Sequence, residues 1–173
     1  MPRLWPRGAA DRVPEAARRA VADVRGERVI AWGTDERTGD AVAAGRTHLY
    51  VVTGDGQVVL DVPWHLVETG RWDHDDMVLV VSFVDGRPDS RWALGDDARL
   101  TVAFRERVQA SVVLSEAVDL GRRRSARVVV RRNLDTGALF GQTILGRGVR
   151  RSDPGVEERT RAALARLKEQ AGL

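Results

Sequence analysis

The chain has one sizeable constellation of side chains that could do chemistry, and it is cationic. Arg122-Arg123-Arg124, Arg127, Arg131-Arg132, Arg147 and Arg150-Arg151 fall within thirty residues of one another. Guanidinium groups gathered this way can hold phosphates or carboxylates through charge-assisted hydrogen bonds. Arg122, Arg123, Arg124, Arg131 and Arg132 are therefore the candidate anion- or nucleic-acid-binding residues. No exposed aromatics are interleaved with them, Phe140 being the only aromatic after Phe104, so no base-stacking platform is expected. The competing reading is a solvated basic face, or one that contacts acidic surface elsewhere in the chain.

The remaining chemistry-capable groups point elsewhere. Asp73-His74-Asp75-Asp76 is dense in metal-capable side chains. Neighbours on a strand face opposite ways, so a solvated acidic turn is expected and no metal site. Leu134-Asp135-Thr136-Gly137-Ala138 matches the short aspartic-protease signature, with Ile144-Leu145-Gly146 echoing its second element. Two such aspartates must share a proton, and the six residues 138–143 between Gly137 and the second element leave no room for that fold. A hairpin turn is the better account. His48 and His65 lie beside apolar strands and away from any nucleophile pattern. Gly146-Arg147-Gly148 lacks the rest of a phosphate loop. There is no Cys, which removes thiol and disulfide chemistry. No catalytic residue, metal or cofactor is expected, and the chain is read as a non-enzyme.

Charge is unevenly spread. Residues 1–26 carry six Arg against three acids, residues 27–104 seven Arg against fourteen acids, and residues 105–173 fifteen basic residues against eight acids. The corresponding net charges are +3, −7 and +7. A basic end can mark an anionic partner, or the two parts can attract each other. Lys168 is the only lysine, a bias that cautions against reading each Arg as a selected group. The N-terminus is basic with no apolar core behind it, and no apolar run is long enough to span a bilayer. A cytoplasmic protein without membrane insertion is expected.

The elements that would position these groups follow from periodicity. Pro14–Val24 reads as a short helix stopped by Gly26. Strands are predicted at 28–34, 40–44, 47–53, 57–62, 67–73, 77–84 and 90–94, with Gly54-Asp55-Gly56 a strong hairpin signal. The run 77–84 is nearly all apolar and should be central. Gly95-Asp96-Asp97 offers a cap to one long helix carrying Leu100, Phe104, Val108, Ser111 and Ser115. The rival is a strand over 99–104. Residues 127–131 and 139–145 suggest a hairpin. Ser152 and Asp153 should cap a final helix, with Val156, Thr160, Ala163, Leu164, Leu167 and Ala171 as its buried stripe. Trp5, Trp32, Trp64, Trp72 and Trp92 sit mostly at strand positions, where packing is usual. Trp64 and Trp72 are the candidates for an exposed protein-binding patch.

Seven strands and a helix, with Gly45-Arg-Thr-His-Leu-Tyr-Val-Val-Thr, Gly54-Asp-Gly and the step Val62-Pro63-Trp64, resemble bacterial pleckstrin-homology-like (PH-like, GRAM-like) domains. They also resemble small uncharacterised actinobacterial proteins of that type. The resemblance covers about residues 27–115 and implies a mainly β fold there: a seven-stranded half-open antiparallel barrel capped by a helix. With the hairpin and helix read from periodicity after it, an α+β chain of three parts is expected: a tail and short helix (1–26), the barrel with its helix (27–115), and a basic hairpin and helix packed on the barrel (116–173). It implies binding of a protein partner or self-association. Nucleic-acid binding through the Arg-rich segment is the alternative. Phosphoinositide is not expected, because the first turn, Asp35-Glu36-Arg37-Thr38-Gly39-Asp40, is net acidic where lipid-binding members are basic.

Overall fold

In the computed structural model of the chain, which describes residues 13–95 and 98–173, helix α1 (Glu15–Arg25) comes first. Gly26 ends it at φ 66°, its N–H donating to Ala22 O. Four strands follow as an antiparallel meander: β1 (Ala31–Thr34), β2 (Ala41–Ala44), β3 (His48–Val52) and β4 (Val58–Pro63). A 3-10 turn, Trp64–Leu66, leads to a second meander of β5 (Val67–Asp73), β6 (Val78–Phe83) and β7 (Ser90–Ala93). Helix α2 (Ala98–Ser111) comes next. A third sheet holds β8 (Val112–Gly121), β9 (Arg124–Arg132) and β10 (Leu139–Leu145), in the order β10-β9-β8. Helix α3 (Val156–Gln170) closes the chain.

The fold is α+β and mainly β, as the periodicity predicts. The seven N-terminal strands match their predicted segments to within three residues at either end. They form separate sheets of four and three strands, and no closed barrel results. β6 is central in its sheet, as its apolar run requires. The proposed cap at Asp96-Asp97, together with Trp5 and the N-terminal tail, lies outside the described residues.

The largest departure follows α2. The predicted helix to Ser115 stops at Ser111, and β8 starts at once. Val112 and Val113 lose rotamer freedom in a helix and favour strand. Farther on, Val118 and Leu120 are buried while Ala117 and Asp119 are exposed, a strand alternation. The expected hairpin is thus a three-stranded sheet, and the boundary at 115/116 falls inside β8. The second departure is the start of α3. Its N-cap is Gly155, at φ 76°, with no side-chain cap. Asp153 instead takes Arg124 Nη1 at 3.1 Å and the Arg150 N–H at 3.1 Å.

Three cores result. In the first, the inner faces of both N-terminal sheets meet: Val42, Leu49, Val51 and Val62 from one, and Val67, Leu79, Val81 and Trp92 from the other. Leu100 and Phe104 of α2 complete it. The opposite face of β2 and β3 buries Ala41, Ala43, Tyr50 and Val52 under Ala17, Ala20 and Val21 of α1. β2 and β3 are therefore covered on both faces. The third core lies between the C-terminal sheet and α3, with Val118, Ala126, Val128 and Val130 against Val156, Ala163 and Leu167.

The other face of the C-terminal sheet joins it to the rest. The Phe140 ring meets His65 edge-on at 4.9 Å, Gln142 Nε2 donates to His65 O at 3.0 Å, and Arg127 pairs with Glu68 at 3.7 Å. Leu134, on the β9–β10 turn, packs against the first core. Leu164→Asp removes an aliphatic contact of α3 and places a carboxylate against Gly141, whose Cα neighbourhood Leu164 fills. Because the sheet it covers is joined to the rest, one cooperative transition is expected. Its midpoint should fall by roughly 4–8 °C for a loss of about 2 kcal/mol. Scanning calorimetry checks this. An unchanged melt, with residues 13–111 folding equally well alone, would make the C-terminal part an independent arm.

Candidate functional site

Several places among the described residues concentrate functional groups or leave a recess, and four of them bear on the predicted sites. The first is buried beneath α1. Glu27, nearly inaccessible, accepts from Thr47 N at 2.9 Å, from Thr47 Oγ1, and from Tyr50 OH at 3.0 Å. Thr47 gives its one hydroxyl proton to Glu27, so His48 Nδ1, 2.8 Å from Thr47 Oγ1, is the donor of that pair. His48 Nε2 faces Asp61 Oδ1 at 3.9 Å. Asp61 Oδ2 takes Arg25 Nε and Nη2 at 3.1 and 3.0 Å. Gly45 permits this crowding, since a Cβ there would meet Glu27 and Tyr50. Trp64 Nε1 donates to Gly45 O at 3.1 Å. Each acceptor of Glu27 is engaged, so the cluster ties the α1–β1 link to β3. Burial and Glu27 push the Tyr50 hydroxyl upward, keeping it a donor. A cavity of about 550 Å³ lies above, lined by Arg25, Arg28, Arg46, Glu27 and Asp135.

The second place is a groove between β5 and α2, about 260 Å³ in volume, with walls of Trp72, Leu79, Phe104 and Val108. β5 is an edge strand, paired only with β6 among the described residues, and Thr69, Gly70 and Arg71 on it are exposed. Gly70 has no side chain where Phe104 passes, which sets the depth of the groove. The third is a cavity of about 350 Å³ where α2 meets β8 and β9, sharing Glu68, Val108 and Gln109 with the groove. Arg131 lines it.

The fourth is the tip of the β8–β9 hairpin. Arg122 and Arg123 form its two-residue loop, at φ 52° and 61°. Left-handed conformations cost such side chains roughly 1–2 kcal/mol per residue. Gly146 N donates to Ser125 O at 2.9 Å, which draws the β10–α3 loop alongside. The exposed Arg147, Arg150 and Arg151 on that loop therefore join Arg122 and Arg123.

The structure only partly assembles the arginines singled out by sequence. Arg122, Arg123 and Arg124 share the tip, Arg124 being held by Asp153. Arg132 is exposed at the far end of β9, roughly 26 Å away at about 3.3 Å per residue. Arg131 is not on the surface: it is 1% exposed, and its Nη1 donates to Ser111 Oγ at 2.8 Å. A single Arg in a strand whose alternate residues are Ala126, Val128 and Val130 gave no sequence signal that its own face was covered too. Nor do the two tryptophans form a patch. Trp64 is wholly buried, with Phe104 edge-on at 5.4 Å, because its indole completes the first core. Trp72 is half-buried and belongs to the groove. The acidic run folds as a turn, with Asp75 N donating to Asp73 Oδ1 at 3.3 Å and Asp73 facing Arg71 at 3.8 Å. The Asp135 segment is also a turn, with Asn133 Oδ1 accepting from Asp135 N at 2.9 Å.

The fold disfavours the charged form of both covered histidines. Burial first, and then the charge of Arg25, hold His48 below its ordinary value, against weaker opposing pulls from Asp61, Glu27 and Asp135. Burial, then His48 and Arg131, do the same to His65. The unfolded chain therefore takes up protons first as pH falls through the ordinary value of 6.5. Their contribution to stability is complete above that pH and is lost below it. Thermal melts from about pH 7.5 to about pH 5 should show a falling midpoint. The His48→Gln/His65→Gln variant should flatten the slope, whereas an unaltered slope would place the protonation elsewhere.

Comparison with known proteins finds no matching family model, no matching curated protein and no matching solved structure.

Proposed function

We propose that the chain is a non-enzymatic binding module of PH-like type that takes an extended segment of a partner protein along β5. The observation that carries this is the exposed edge of β5 beside an apolar groove. An edge strand presents unpaired N–H and C=O groups that another strand can use. Main-chain pairing then gives affinity, and pockets for alternate side chains give specificity. Trp72, Leu79 and Val108 suit an apolar side chain of the incoming segment. Glu68 at one end and Arg105 on the helix suit polar flanks. A four-stranded meander, a three-stranded meander and a helix closing their shared core support the PH-like reading. The third sheet and α3 are additions to that plan. The non-catalytic reading is supported by the saturation of Glu27 and by the role of His48 in the same network.

Gln109, exposed at the groove mouth, offers a block that leaves the core alone. Peptides selected from a random display library should bind the full chain and lose at least tenfold in affinity to Gln109→Trp. Val102→Asp, on an exposed part of the same helix, should change little. Equal losses in both variants, or undiminished binding to Gln109→Trp, would remove the groove from the account. Concentration-dependent dimerisation blocked by the same substitution would make a second copy the occupant.

A second reading has its own observation, the five exposed arginines around the β8–β9 tip. Nucleic-acid binding there would follow counterion release and weaken steeply with salt. Fluorescence anisotropy with generic RNA and DNA should then show low-salt binding. Replacing Arg122, Arg123 and Arg124 by Ala should weaken it and reduce the salt slope. Affinity unaltered by those changes would exclude the tip.

A further inference from the structure

Arg131 is a cation in the interior whose Nε–H is unspent. Nη1 donates to Ser111 Oγ at 2.8 Å, while the buried Nε–H has no acceptor and no described hydrogen bond uses Nη2. No described carboxylate forms an ion pair with it, and Glu68, the nearby acid, is engaged by Arg127 at 3.7 Å. Desolvation moves its pKa down to about 10, so it stays protonated at neutral pH. A buried charge without a partner is strongly unfavourable. Evolution usually removes it, pairs it or uses it.

The surroundings favour use. A guanidinium N–H makes a charge-assisted hydrogen bond to a carboxylate. Arg131 lines the cavity of about 350 Å³, within the roughly 300–1,000 Å³ typical of small-molecule sites. Val108, Val112 and Val129 give it an apolar wall, and Arg127 and Glu68 lie at its polar side. Glu68 disfavours a dianion such as phosphate, and the valines favour a ligand with a hydrocarbon portion. We propose that this cavity binds a small amphipathic monocarboxylate, its carboxylate seated on Arg131 and its aliphatic chain along Val108, Val112 and Val129. The cavity adjoins the β5 groove and shares Glu68, Val108 and Gln109 with it, but the proposal rests on Arg131 and does not require peptide addition at β5.

The test titrates the full chain calorimetrically with sodium octanoate, octan-1-ol and sodium sulfate. Octanoate should bind saturably with one site per chain and raise the melting midpoint, with octanol and sulfate at least tenfold weaker. Octanol without the charge and sulfate without the chain separate the two requirements. Arg131→Met keeps the volume and removes the charge, and should cost octanoate at least tenfold in affinity. If that variant does not fold, Ser115→Trp, which fills the exposed mouth of the cavity, decides the matter by the same loss. Because Gln109 borders both recesses, peptide capture at β5 is scored on the unsubstituted chain, and its failure leaves the octanoate result standing. No saturable octanoate binding, equal binding of octanol, or full affinity in Ser115→Trp would overturn the proposal.

Discussion

Phe104 reaches the interior because position 70 has no side chain. Its ring passes where a Cβ on β5 would stand, and it meets Trp64 edge-on at 5.4 Å. Much else depends on that approach. It brings α2 down onto β5 and closes the core shared by the two N-terminal sheets. Burying Phe104 and Leu100 is worth roughly 1.5–3 kcal/mol each. An added methyl at Gly70 would have to displace the Phe104 ring. The groove lies beside this contact, and the Arg131 cavity continues from it past Val108 and Gln109.

Much of this was legible in the sequence, and the reason is local. Alternation, β-branching and glycine turn signals specify strands without reference to distant partners, which is why all seven N-terminal strands were readable. Val67–Asp73 even matches to the residue. The readings that failed needed tertiary knowledge. Ser111, Val112 and Ser115 continue the helical spacing of α2, yet Val118 and Leu120 need a strand to reach the core under α3. Asp153 has the residue type of a cap, but a salt bridge to Arg124 uses it instead. Trp64 looked available because it follows Pro63 at a strand end, and the 3-10 turn then directs its indole inward.

The candidate sites were less legible still, because a binding surface is made by juxtaposition. Nothing near position 131 says that its strand is covered on both faces. Nothing near position 109 says that the residue stands at a groove mouth shared with β5. Net charge was equally uninformative about contact. The acidic and basic parts of the chain do meet, but what joins them is chiefly Phe140 on His65, Leu134 in the first core and Gln142 on a backbone carbonyl. The Arg127–Glu68 pair is loose at 3.7 Å and partly exposed, and such pairs contribute little. Opposite net charges permitted the docking, and apolar packing with a few hydrogen bonds holds it.

The two arginine features stand in different relations to stability. At the β8–β9 tip, Arg122 and Arg123 occupy left-handed positions that Asn-Gly would fill more easily. Their conformation is imposed by the ladder on either side, from Gly121↔Arg124 inward, and by Asp153 holding Arg124. Charge is thereby displayed at a point of backbone strain, fully solvated, where it carries no desolvation penalty. Arg131 is the reverse: relaxed backbone, paired on both sides in the sheet, and a guanidinium drawn out of water. A solvated tip can change its charge with little effect on the fold. A buried guanidinium contacting one hydroxyl shapes the cavity around it, and an apolar residue of similar volume would pack there more favourably. Retaining charge at the costlier position therefore points to a ligand more directly than does the larger number of arginines at the tip.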